Sequence, residues 1–240
     1  DEIRSPRQVR ADYDLIVSLD ASSLDRLGDV YRAGDHAGIP LAVIDHHRTN
    51  TDFGTVNWVE GACAATAQMV TYLAAALGVN LTPAIAECLL TGIVTDTLCF
   101  RTSNTTPATL EAAMRLQEAG ADLSLIVQRT LNRMAFSTLK LWAAVLPNVH
   151  LKEGVLWAVI RREQLAAVGQ SSDESKLNTI FSTIIEADIS AVFTEKIGKS
   201  GRPAVECSFR AKPGFSVAEL ALSFGGGGHP AASGCTVEGT

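Results

Sequence analysis

Long apolar runs are missing from this 240-residue chain. No stretch reaches the ~18 residues a membrane helix needs, and no charged-then-apolar leader pattern opens it, so neither a membrane span nor export is expected. Cysteine is scarce. The five present, Cys63, Cys88, Cys99, Cys207 and Cys235, are odd in number, form no CxxC and sit in or beside apolar runs. That pattern suits buried free thiols in a reducing, cytoplasmic compartment. Basic excess is absent too. A formal charge of −6 argues against a surface made for non-specific adsorption to nucleic acid, whereas a carboxylate-rich site could hold cations. An initial Met is also lacking: the chain starts DEIRSPRQ and stops at TVEGT. A fragment of a longer protein explains that as well as processing or trimming does.

What is present reads as two modules. YDLIVSLD (13–20) is an apolar run ending in an acid; Leu24, Leu27, Val30 and Tyr31 follow at helical spacing, and Gly38 and Pro40 precede a second run, LAVI. Strand, helix, strand with short connections is the signature of a parallel sheet, whose strands are buried on both faces. Such sheets gather ligands beyond the carboxyl ends of their strands. Asp20 ends one strand and Asp45-His46-His47 ends the next, at the same edge. Helices are predicted over 63–78, from Pro83 to near Asp96, from an N-cap at Thr106 to Gly120, and over about 122–132.

After about residue 135, STLKLWAAVLPNVHL reads as a connecting helix broken at Pro147. GVLWAVIRR, ADISAVFTEKI and PAVECSFRAK alternate as strands do, with helical pieces around 174–186 and 216–223. The expected organisation is a domain over 1–135, a linker helix over 136–149 and a domain over 150–240. The fold class is α/β, a parallel-sheet domain followed by a smaller α+β domain.

Two constellations carry chemistry. The first is Asp20, Asp45, His46, His47 and Asp96. Consecutive residues at a strand end point in different directions, so one imidazole can ligate a metal while its neighbour faces substrate or the core. An acid beside them can orient a histidine by accepting its ring N–H. Asp96 lies in an apolar stretch, TGIVTDTLCF, where an unpaired buried carboxylate costs roughly several kcal/mol, so it is expected to meet a cation. Carboxylates and imidazoles without thiolates suit Mn²⁺; Mg²⁺ is less comfortable beside histidine, and Zn²⁺ is admissible. Two such ions about 3.5–4 Å apart would clamp a phosphoryl group and ionise a bridging water.

The second constellation is FGGGGHPAASG (224–234) with CSFRAKPG (207–214). Consecutive glycines let a ligand approach backbone N–H groups, with a flexible linker as the plain alternative. Arg210 and Lys212 lie two apart and would share one face of a strand, either as a solvated pair or as a phosphate clamp beside His229.

Together, VSLD, VIDHH, TGIVTDT with the following FRTSNTTP, and SFRAKPG with FGGGGHPAASG resemble the DHH/DHHA1 phosphoesterases. Within them they resemble the bacterial nanoRNase and pAp-phosphatase branch, and so does FGTVNWVEGACAATAQ. The resemblance runs through almost the whole chain, with four separated motifs in the expected order. It implies a DHH domain and a DHHA1 substrate-binding domain facing each other across a cleft, and a two-Mn²⁺ centre.

Carried over by motif, Asp20 is the bridging ligand, His46 and Asp96 complete one metal's shell, Asp45 supports His46, and His47 approaches the scissile phosphate. Arg210 and the loop of Gly226, Gly227, Gly228 and His229 hold the far nucleotide or its phosphate. Arg101, Ser103 and Asn104 line the cleft. The family's His-x-x-x-Asp-x-Asp motif, source of the remaining metal ligands, has no counterpart before Asp20. N-terminal truncation is the simplest account, with natural absence or supply by another chain as alternatives. The chain as written is therefore expected to be weakly active.

The function so implied is Mn²⁺-dependent hydrolysis of short oligoribonucleotides or 3′-phosphoadenosine 5′-phosphate. Cleavage of cyclic or linear dinucleotide messengers is the alternative within enzymes. A non-catalytic nucleotide-binding module is the alternative outside them. The partners expected are short RNA or a small nucleotide, without a membrane or a long-DNA module, and a homodimer is left open.

Overall fold

The computed structural model describes residues 3–170, 177–198 and 200–239, and the chain divides into two units, Asp1–Arg133 and Met134–Thr240. The first is built on a three-stranded parallel sheet in the order β1 (Ile16–Leu19), β2 (Leu41–Asp45), β3 (Val56–Val59). Strand β2 is central, so its Leu41, Val43 and Ile44 are buried, and an unbroken apolar run is what a strand flanked on both sides requires. Leu19 pairs with Ile44, and the Asp20 amide donates to the Ile44 carbonyl at 3.1 Å. The ladder thus runs one step past β1, and Asp20 and Asp45 leave the sheet at one edge.

Between β1 and β2 the chain departs from the expected helix. Leu24–Val30 is a 3-10 segment kinked at Gly28 (φ 54°), and α1 (Ala33–His36) is a single turn. The fully buried His36 pins this crossing: its Nδ1 accepts from the Arg32 amide at 3.0 Å, so its Nε2 donates to the Arg10 carbonyl at 2.8 Å.

Four helices follow: α2 (Thr66–Ala76), α3 (Pro83–Asp96), α4 (Pro107–Glu118) and α5 (Leu123–Thr130). Side-chain oxygens of Thr82, Thr106 and Asp122 accept from the amides of Ile85, Thr109 and Leu125, satisfying donors that a helix start leaves open. Leu90, Ile93 and Val94 of α3 pack with Ala112, Leu116 and Ile126. Inside this core both polar atoms of the Gln68 side chain are bonded: Oε1 accepts from the Ala64 amide and Thr109 Oγ1, and Nε2 donates to Tyr72 Oη.

The second unit carries a six-stranded mixed sheet, order β4 (His150–Lys152), β5 (Val155–Ile160), β6 (Ile189–Ile197), β7 (Pro203–Ala211), β9 (Ala232–Glu238), β8 (Gly227–His229). The β5–β6 pair is parallel and the others are antiparallel. Helices α6 (Phe136–Val145), α7 (Arg162–Ala167) and α8 (Leu177–Phe181) cover one face around Leu156, Ala158, Ile160 and Val192. Helix α9 (Ala218–Ser223) covers the other through Val217 and Ala221, against Cys207, Phe209 and Cys235. The segment expected to be a linker belongs to this core through Leu141 and Val145. Of the helical piece expected around 174–186, residues 174–176 lie outside the described residues.

Three of the five cysteines are buried as expected, but Cys99, in the turn after α3, is half-buried and Cys88 is exposed, because Cys88 lies on the outer face of α3 and an apolar neighbourhood in sequence does not bury every side of a helix. Cys207 and Cys235 stand opposite each other on β7 and β9, and burial first and the neighbouring thiol second push Cys207 up to about 11. Among the described residues no helix is long and apolar enough to cross a membrane.

Candidate metal centre

At the carboxyl edge of the parallel sheet the chain brings an acid and two imidazoles into one cluster. Ligand atoms of Asp20, His46 and His47 all lie within 4.8 Å of one another. His46 Nε2 sits 3.5 Å from Asp20 Oδ1 and 3.7 Å from Asp96 Oδ2, the latter delivered by the last residue of α3. These separations exceed a hydrogen bond and suit donors sharing a cation.

The ring orientation of His46 is set behind it. Its Nδ1 lies 3.3 Å from the Cys63 carbonyl, which only accepts, so Nδ1 carries the proton and the lone pair of Nε2 faces the two carboxylates. Asp20 is held in the left-handed region at φ 62°, which Asp tolerates better than most residues, and Thr66 Oγ1 at the start of α2 donates to its Oδ1 at 2.8 Å.

Asp45 supports a different histidine from the one expected. Its Oδ1 lies 2.7 Å from His47 Nδ1, while its Oδ2 accepts from Asn50 Nδ2 at 2.6 Å. The reason is geometric: residues two apart along this strand end return to the same side, and His46 between them turns to the Cys63 carbonyl instead. Asp45 is fully buried. Burial opposes its ionisation, but the bonds from Asn50 and His47 outweigh that and hold its carboxyl below the usual range.

Asp96 departs from expectation in the other direction. Its side chain is 36% exposed, because the apolar run around it is helical and buries Ile93 and Val94 on another face. The need for a cation survives on other grounds. Partial burial and then the charge of Asp20 push the Asp96 carboxyl up. A carboxylate at a helix C-terminus also faces the negative end of the dipole. Among the described residues the basic side chains within 4 Å of the Asp20 and Asp96 carboxylates are the two histidines. A divalent cation fits this set, and its donors are carboxylate and imidazole without thiolate.

Residues 2–93 match the DHH family, N-terminal domain. The chain is also 38% identical over 196 residues to the "Bifunctional oligoribonuclease and PAP phosphatase NrnA" of Thermus thermophilus, a match covering 82% of this chain. Residues 2–93 therefore carry a DHH-family domain. The NrnA of Bacillus subtilis is a further relative, 28% identical over 228 residues, covering 93% of this chain and 70% of that protein. The match spans 58% of the Thermus relative's length, less than two thirds. A solved exopolyphosphatase-related protein from Bacteroides fragilis shares the fold at a TM-score of 0.84 and 24% identity, covering 96% of this chain and 68% of that one.

Elsewhere in the chain the remaining candidates separate. After Asp96 the backbone makes a left-handed run at Leu98, Cys99 and Phe100 (φ 47°, 60° and 63°), tied by Thr97, whose Oγ1 accepts from the Phe100 amide at 2.9 Å. Arg101 then spends its Nε on the Leu98 carbonyl and Asn104 its Nδ2 on the Ala64 carbonyl, while Ser103 is exposed. In the second unit Arg210 pairs with Ala232, which pairs with His229. Residues in one row share a sheet face, so Arg210 and His229 face the same way.

Lys212 falls outside this row. The strand ends at Ala211, and the ammonium donates to the carbonyls of Ile184 and Ile185 at 2.7 and 3.0 Å, which withdraws it from the clamp expected beside Arg210. The glycine run is not an open loop either: Gly227 and Gly228 with His229 form β8, hydrogen-bonded to β9, and only Gly225 and Gly226 lead into it. Thr66 and Asn50 went unassigned in the sequence. Short polar side chains in loops and at helix starts carry no periodic signal.

Proposed function

We propose that this protein is a divalent-cation-dependent phosphoesterase, with Mn²⁺ as its preferred ion, acting on short oligoribonucleotides and 3′-phosphoadenosine 5′-phosphate. One observation carries the reading: His46 Nε2 stands between the carboxylates of Asp20 and Asp96, next to a histidine braced by a buried acid. Asp20, His46 and Asp96 would hold the cation. When bound, it neutralises phosphoryl oxygens and lowers the pKa of an attacking water.

The side chains supply the rest. With Nδ1 committed to Asp45, a neutral His47 keeps its lone pair on Nε2, the atom that can take or return a proton. Thr66 holds Asp20 in place. On the second unit, Arg210 and His229 offer one face of charged and hydrogen-bonding groups suited to a phosphate. Strand β8 is an edge strand, so it leaves backbone groups open to an anion on its outer side. The names of the Thermus and Bacillus relatives support the substrate class. A net charge of −6 fits a short substrate better than a long one.

The test is hydrolysis by the full-length protein with Mn²⁺ of pApA, a short RNA and 3′-phosphoadenosine 5′-phosphate. Wild type is expected to release nucleotide monophosphate or phosphate, and His46→Ala to lose at least ~100-fold of that rate with weaker Mn²⁺ binding. Unchanged turnover in His46→Ala, or none in wild type, would overturn the reading.

A further inference from the structure

We infer that Asn50 is a positioning residue for His47, one that selects which ring nitrogen carries the proton and locks the loop after Asp20 to the Asp45–His47 pair. The inference rests on the reading above for its effect on turnover, and on geometry alone for its effect on the histidine.

Every polar atom of the Asn50 side chain is used. Nδ2 donates to Asp45 Oδ2 at 2.6 Å and to the Ala21 carbonyl at 3.1 Å, and Oδ1 accepts from the Asp52 amide at 2.8 Å. Its own amide donates to the His47 carbonyl at 3.1 Å, and the Thr51 amide donates to the Ser22 carbonyl at 2.9 Å. Two loops, the one after β1 and the one after β2, are clasped by the Asn50 side chain and the Thr51 amide together.

The consequence for His47 follows from counting bonds at a buried carboxylate. Asp45 is inaccessible to solvent; Asn50 donates to its Oδ2, the His47 ring meets its Oδ1, and the His47 backbone amide is a further donor. With Oδ2 filled, the carboxylate plane is fixed and Oδ1 is aimed at Nδ1, which must then be the protonated nitrogen. Without Asn50 the carboxylate can turn about its Cβ–Cγ bond, and a buried oxygen is left short of a donor. The Ala21 carbonyl matters as well. It follows Asp20, whose left-handed backbone (φ 62°) persists only while its surroundings over-determine it.

The experiment uses full-length protein carrying ¹⁵N-histidine, free of metal and substrate, at a pH where the ring is neutral. In wild type the ¹⁵N spectrum is expected to show His47 protonated at Nδ1; in Asn50→Ala and in Asn50→Asp it is expected to show mixed tautomers, with His46 unchanged as the internal reference. With Mn²⁺ and pApA, Asn50→Ala is expected to lower kcat by ~10–100-fold with KM within about threefold. An Nε2-protonated His47 in wild type overturns the inference without any variant, so a failure of Asn50→Ala to fold does not shield it. An unchanged tautomer in a folded variant overturns it too. If wild type hydrolyses no nucleotide, the functional reading falls, while the tautomer comparison still decides the role of Asn50.

Discussion

Replacing Gly226 by alanine and, separately, Gly227 by alanine should divide a glycine run that looks uniform in sequence. A Cβ on Gly226 would stand 2.2 Å from the Gly234 carbonyl oxygen, 2.5 Å from Cys235 Cβ and 2.7 Å from Cys235 Cα. Those atoms belong to β9, inside the sheet, and cannot give way as a flexible side chain could. Either β9 shifts or β8 lifts off it, and overpacking of this kind costs about 1–3 kcal/mol. A Cβ on Gly227 meets nothing within 4 Å, and its φ lies outside the left-handed region. There, alanine narrows the unfolded ensemble and is expected to be neutral or stabilising by about 0.4–1 kcal/mol. The two variants should therefore differ by roughly 1–4 kcal/mol in urea denaturation followed at Trp142 and Trp157. Equal stabilities, or Gly226→Ala as the more stable of the two, would refute the claim that Gly226 serves packing.

Four further outcomes are expected. Leu98→Gly should raise stability by ~0.5–1 kcal/mol in thermal unfolding, since it removes about 1–2 kcal/mol of left-handed strain (φ 47°) and returns part as glycine entropy. Gln68→Leu should destabilise the first unit by roughly 2–3 kcal/mol, because the Ala64 amide and Thr109 Oγ1 lose their acceptor inside the core. Iodoacetamide at pH 8 should label exposed Cys88 well before Cys207, whose raised thiol stays protonated; peptide mass spectrometry reads the order. Asp45 has a folded-state carboxyl held below its unfolded value, so its contribution is present above the ordinary carboxylate range near ~3.9 and is lost as pH falls through the folded value. Asp45→Asn should flatten that acid limb in a stability–pH profile.

How far the sequence speaks depends on whether a residue's role leaves a pattern. LAVIDHH does, because a central parallel strand must be apolar throughout and its exit edge collects ligands. Thr106 with Pro107 does as well, since a helix start needs an acceptor and tolerates proline. Strand β3 left no mark: it is an edge strand, and Val56-Asn57-Trp58-Val59 carries a polar residue that bonds its own turn, accepting from the Gly54 amide. Apolar neighbours of Asp96 and Cys88 suggested burial that a helix does not enforce on all sides. Lys212 looked like the companion of Arg210 because strand spacing holds only while the strand lasts, and this one ends at Ala211. Which histidine Asp45 would meet depended on a loop carbonyl at Cys63, and no side-chain pattern announces a carbonyl.

The step by which the β1–β2 ladder runs past Leu19 and Ile44 also gives the chain a form of proofreading. The register that buries Val43 is the same one that sets Asp20 beside Asp45. A slip by one residue would carry Val43 and Asp45 to the opposite face and move His46 away from Asp20, so a chain that misses its register loses its metal donors with its packing. Divalent-cation binding during refolding would therefore count only correctly registered molecules, while probes of helix or strand content would count them all.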